Sequence, residues 1–98
     1  MIEKDIKKVM AILRSKKHPR MIEVEYQGNE DGEKFHWKAE RRLNELGYPM
    51  VAAWEIYSKP ENFITERRTF EALNALVEQG KARTHTLRGI ICYSWIGG

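Results

Sequence analysis

Residues 62–96, NFITERRTFEALNALVEQGKARTHTLRGIICYSWI, leave the backbone few choices. Phe70, Leu73, Leu76 and Val77 recur at helical spacing and define a stripe expected to be buried. Thr65 stands where an N-cap belongs, and Glu66 in the first turn suits the helix dipole. Gly80 is placed to end the helix. Residues 82–86 and 90–96 are rich in Thr, Ile, Tyr and Trp and read as strands joined at Leu87, Arg88 and Gly89. The second strand is apolar on both faces, with Ile91, Tyr93 and Trp95 on one and Ile90, Cys92 and Ile96 on the other. A two-stranded hairpin needs only one apolar face. The excess predicts that the strand at 22–26 joins this sheet or that a second subunit covers it.

The preceding chain supplies what this unit packs against. Ile2, Ile6, Val9 and Leu13 follow at i, i+4, i+7 and i+11, with Met10 alongside, so residues 2–15 are an amphipathic helix. Its other face holds Lys4, Lys7, Lys8 and Arg14, and the segment before Pro19 stops it. Ile22, Val24 and Tyr26 alternate with Glu23 and Glu25, the pattern of a half-buried strand over 21–27. Residues 28–32 are a loop by composition. From 33 to 46, Phe35, Ala39, Leu43 and Leu46 fit a helix capped by Asp31 and ended by Gly47. Phe35, Trp37 and Ala39 also alternate with Lys34, His36 and Lys38, which would suit a hairpin with 21–27, the helix then starting only near Ala39. The helix is the favoured reading. Residues 50–57 are expected to form a short helix with Ala53, Trp54 and Ile56 in the core, and 58–62 a turn.

Ninety-eight residues make one α+β domain, with 1–32 as an N-terminal extension and 33–98 as its core. The charged fraction of 32% is that of a globular chain, and no apolar run approaches the roughly 20 residues of a membrane helix. Charges run through the apolar positions of the first ten residues, so no signal peptide is read there, and a single cysteine fits a reducing compartment; a cytoplasmic location is expected. The net charge is +3, concentrated in residues 1–20, which hold seven Lys/Arg against two acids. A basic segment suits a polyanion, or is simply a solvated face.

Several chemistries find no foothold. His18, His36 and His85 lie far apart beside one cysteine, so no zinc spacing exists, and no phosphate-binding glycine loop is present. The acids of residues 29–33 lack the full calcium-loop pattern. Cys92 sits in an apolar strand and reads as a buried hydrophobe. Trp37, Trp54 and Trp95 read as core anchors. With no acid–base pair or activated nucleophile in view, the chain is expected to be neither an enzyme nor a cofactor protein.

Residues 68–81, RTFEALNALVEQGK, resemble the winged helix-turn-helix superfamily, whose recognition helix carries L-x-x-L-V, a polar pair and glycine before a basic residue enters the wing. Residues 53–56, AWEI, resemble its supporting helix, and the likeness covers residues 33–96. It departs in a longer turn over 58–64 that contains Pro60, in the helix and strand that precede the unit, and in Lys81 where members commonly carry an aliphatic residue. The resemblance implies a winged helix that reads double-stranded DNA as a small transcriptional regulator, with helix 65–79 in the major groove and hairpin 82–96 as wing.

With Phe70, Leu73 and Val77 buried, the face left to a ligand carries Arg67, Arg68, Glu71 and Asn74. Arginine matches guanine edges and asparagine adenine edges, while Thr65 and Thr69 can reach phosphate or a thymine methyl. Lys81 and Arg83 flank the start of the hairpin, and Arg88 at its tip would contact phosphate or enter a minor groove. The glutamates repel phosphate, so a winged helix serving as a protein–protein module is the alternative. The apolar stripe of residues 2–13 leaves a homodimer open.

Overall fold

A computed structural model describes residues 2–27 and 34–97. The loop expected at 28–32, and the side-chain roles expected for Val24, Tyr26, Phe35, His36 and Trp37, lie outside the described residues.

Helix α1 (Ile2–Arg14) forms on its apolar spacing: Val9 and Leu13 are fully buried, and Ile6, Met10 and Ile12 pack beside them. Strands β1 (Met21–Gln27) and β2 (Lys34–Glu40) pair antiparallel from Met21↔Glu40 to Gln27↔Lys34 as a separate two-stranded ribbon. The helix favoured over 33–46 is therefore corrected: residues 34–40 form the hairpin of the alternative, and the helix that the alternative began near Ala39 is not formed either. The reason is visible at the end of the supposed helical stripe, where Leu43 and Leu46 are 60% and 52% exposed. That stripe has nothing to bury against, whereas the strand pairing satisfies the backbone of both segments.

Residues 41–50 turn back sharply. The Asn44 carboxamide oxygen accepts from the Leu46 and Tyr48 amides at 2.9 and 3.0 Å, and Gly47 takes φ +84°. β3 (Val51–Ala52) then pairs with β5 (Ile90–Trp95), which pairs with β4 (Ala82–Leu87), giving the strand order β3-β5-β4. The expected helix over 50–57 is thus a strand for its first half, followed by the single helical turn α2 (Trp54–Tyr57). Ile56 is in the core as expected.

A 3₁₀ turn (Pro60–Asn62) leads through Phe63, at φ +48°, to α3 (Glu66–Glu78). Thr65 is its N-cap, accepting from the Arg68 amide at 3.2 Å. At its end the Lys81 amide donates to the Leu76 carbonyl and the Gly80 amide to Val77, a Schellman arrangement that Gly80 permits at φ +72°. The buried face of α3 is Thr69, Ala72, Leu73 and Leu76, with Val77 packed alongside. Phe70, expected in the stripe, is 38% exposed and leans on the Tyr57 ring, centroids 6.4 Å apart. Thr69 takes the place at the α1 side because its hydroxyl donates to the Thr65 carbonyl at 2.8 Å, so burial leaves it satisfied.

The core lies between α1, α3 and the inner face of the β3-β5-β4 sheet, where Tyr93 and Trp95 meet Val9, Leu13, Leu73 and Leu76. The opposite face of β5 holds Cys92 and Ser94, both buried. The strand at 22–26 does not join this sheet. Asn44 lies over part of the outer face of β5, donating to Ser94 Oγ at 3.0 Å and to the Trp95 carbonyl at 2.9 Å, while β3 occupies the strand edge. Among the described residues no helix is long and apolar enough to cross a membrane.

Candidate nucleic-acid interface

The residues expected to read DNA fall into three groups. Arg67, Glu71 and Asn74 are exposed on α3, with Arg67 Nε 3.2 Å from Glu71 Oε1 in an i,i+4 pair. Thr65 is exposed, but its hydroxyl oxygen serves the cap. Arg68 and Thr69 are withdrawn. Thr69 is fully buried, and Arg68 is turned onto α1, where its Nε and Nη2 donate to Asp5 Oδ2 and Oδ1 at 2.9 and 2.5 Å.

Asp5 explains this withdrawal. It sits four residues before Val9 and eight before Leu13, on the same stripe, so its carboxylate is carried into the α1–α3 contact. A buried carboxylate needs a cation. The hydrogen bonds from Arg68 hold its carboxyl below the ordinary carboxylate range against the opposing effect of burial, helped by the Arg68 charge, the N-terminus and Lys8. Arg68 is held charged in return by the same bonds. The acid within an apolar stripe was the available sequence signal, and it did not name the partner.

The outward face of α3 is left with Glu66, Glu71 and Glu78 against Arg67, besides Phe70 and Asn74. Its formal charge is therefore negative. On the hairpin, Lys81, Arg83 and Arg88 are all exposed. Arg83 Nη1 lies 3.6 Å from Glu45 Oε1. Arg88 and Gly89 make the two-residue turn with φ +49° and +78°, the backbone of a type I′ hairpin.

A further set of cations lies elsewhere. An open cleft of about 630 Å³ runs between the end of the ribbon and the hairpin tip, lined by Lys38, Glu40, Arg41, Arg42, Leu43 and Arg88. A second, of about 240 Å³, shares Glu40, Arg41 and Leu43 with it and adds Lys16, His18 and Arg20. Arg41 is committed inward: it donates to the Pro19 carbonyl at 2.8 Å, to the Met50 carbonyl at 2.7 Å and to both oxygens of Glu55. Glu55 also accepts from the Ala52 amide, fixing the end of β3. These cations are spread over the 27 positions from Lys16 to Arg42, with Arg88 further on, so no short window of sequence displays them together.

Among the described residues no three His, Cys, Asp or Glu side chains form a group able to hold a metal. Burial pushes the Cys92 thiol up to about 11, with Glu55 adding to the shift and Arg41 opposing it. No protein-family model, no curated protein and no solved structure matches the chain.

Proposed function

We propose that this chain is a winged-helix-type domain that binds double-stranded DNA, acting in the cytoplasm as a small sequence-specific transcriptional regulator. One observation carries the reading: α1, β3, α2, α3, β4 and β5 follow in that order, with strand order β3-β5-β4 and the β1-β2 ribbon inserted after α1. That connectivity puts a helix capped at both ends next to a hairpin with a basic tip, the pairing a major-groove reader and wing require. Arg67 and Asn74 are the base-facing candidates that remain exposed. Binding as a homodimer on paired half-sites belongs to the same reading.

Electrophoretic shift of genomic fragments at two salt concentrations tests it. A specific shift that weakens with salt is expected, lost for Arg67→Ala or Asn74→Ala at the preferred site. Absence of any shift at low salt would sink it.

A protein–protein role is the second reading, favoured by the outward face of α3. Three glutamates against one arginine repel phosphate, and Phe70 and Phe63 are exposed, Phe63 to 81%. A partner captured through this face, with no salt-dependent DNA binding, would select that role.

A further inference from the structure

We propose that the cleft between the ribbon and the hairpin tip is a phosphodiester-binding site that holds the backbone of a nucleic-acid duplex, a proposal that rests on the DNA-binding reading. Lys38 on β2 and Arg42 just beyond it line the larger cleft with Arg88 of the β4–β5 turn. Lys16 and Arg20 line the adjoining one. Glu40 borders both and is the acid among their lining residues, and Glu23 stands opposite Lys38 in the ribbon register.

The site is built by Arg41. Its guanidinium is anchored to two carbonyls and to Glu55, with its side chain 3% exposed. In an extended backbone successive side chains alternate, so an inward Arg41 sends its neighbours Glu40 and Arg42 outward; both are exposed. The Arg41 amide is also fixed on the Arg20 carbonyl, which ties the 16–20 segment to the same backbone. Positive charge is thereby held on a rigid frame instead of on a loose loop. A guanidinium fork and an ammonium are the groups that grip phosphate oxygens. Their spread over two adjoining clefts suits an anion that repeats along a strand better than a single small one.

The location also answers a difficulty of the α3 face. A net acidic helix can discriminate bases but cannot supply the counterion-release affinity that DNA binding requires. The cleft supplies it from a different part of the surface, next to the hairpin tip.

Fluorescence anisotropy of a 5′-labelled duplex, titrated at several salt concentrations, tests this with the full chain. The double variant K38Q/R42Q is expected to weaken binding at low salt by about ten-fold or more and to lower the slope of log K against log salt by about 1–2, near 0.9 for each phosphate no longer neutralised. Glu40→Gln is expected to tighten binding by about two-fold. Lys59→Gln, an exposed charge outside the clefts, is expected to leave the slope unchanged. Circular dichroism melting confirms that each exposed substitution leaves the fold intact. Duplex binding by the unaltered protein with an unchanged slope in K38Q/R42Q overturns this proposal alone. No duplex binding by the unaltered protein overturns it together with the reading it rests on. Amide NMR shifts at Lys38 and Arg42 that saturate with inorganic phosphate but not with duplex assign the cleft to a free anion and likewise overturn it.

Discussion

Asp5 and Arg68 stand 63 residues apart in sequence and share two hydrogen bonds, one from each of two guanidinium nitrogens, which join α1 to the start of α3. The carboxylate is buried and the guanidinium half exposed. An arginine positioned to read bases is thus spent on orienting the helix that would carry it.

Replacing Asp5 by Asn separates those two roles. The α1–α3 junction weakens, and the melting midpoint is expected to fall by on the order of 5 °C. The released Arg68 adds an unpaired cation beside Lys4 and Lys7, which line a hollow with it, so duplex affinity rises even as stability drops. The pair also sets an acid limit. The Asp5 carboxyl lies below its ordinary 3.8 in the folded chain, so the unfolded chain takes up the proton first. Its stabilisation is complete above that value and is lost as the pH falls through the folded-state value. Urea melts of the parent and Asp5→Asn between pH 2 and 5 check this, the variant showing the shallower dependence.

His85 gives a second pH dependence at milder acidity. Its Nε2 lies within hydrogen-bonding distance, 2.7 Å, of Ser94 Oγ, which also accepts from Asn44. Burial lowers the His85 pKa, with Arg83 adding and Glu45 opposing. The unfolded chain therefore binds this proton more readily. Stability is full above about pH 6.5 and declines as the pH falls through that value towards the folded-state one. Chemical denaturation between pH 5 and 8 is expected to show the decline, and His85→Gln to flatten it.

Cys92 reports on the sheet. Its thiol is buried and raised to about 11, so almost none is thiolate at pH 8. Ellman's reagent at pH 8 is expected to react only as fast as the chain opens, and promptly in denaturant. Rapid modification of the native protein would mean that the Asn44 turn does not seal the outer face of β5.

Phe63 and Arg88 are the described non-glycine residues at positive φ, at 48° and 49°. Asparagine tolerates that backbone better than either. Phe63→Asn is expected to stabilise the fold by about 0.5–1 kcal/mol. Phe63→Asn should also abolish partner capture if the protein–protein reading holds, because it removes the exposed ring without harming the scaffold. A loss of stability in thermal melts would count against this account of the Phe63 turn.

Sequence alone determined α1, α3 with its Thr65 cap and Gly80 stop, and the β4–β5 hairpin. Each follows from residues a few positions apart: an i, i+4 stripe, a hydroxyl three residues from the amide it accepts, a turn of two residues. Tertiary structure decided the rest. Residues 34–40 satisfy two periodicities, and the strand prevails because β1 offers a partner ladder while Leu43 and Leu46 find no cover. The third strand of the main sheet is only Val51 and Ala52, too short for its alternation to register. Asn44 sealing Ser94, Asp5 claiming Arg68, and Lys38, Arg42 and Arg88 meeting around one cleft all depend on which surfaces come together. Charge and hydrogen-bond partners are chosen by proximity in space, and spacing along the chain encodes proximity only within a helix turn, a strand or a tight turn.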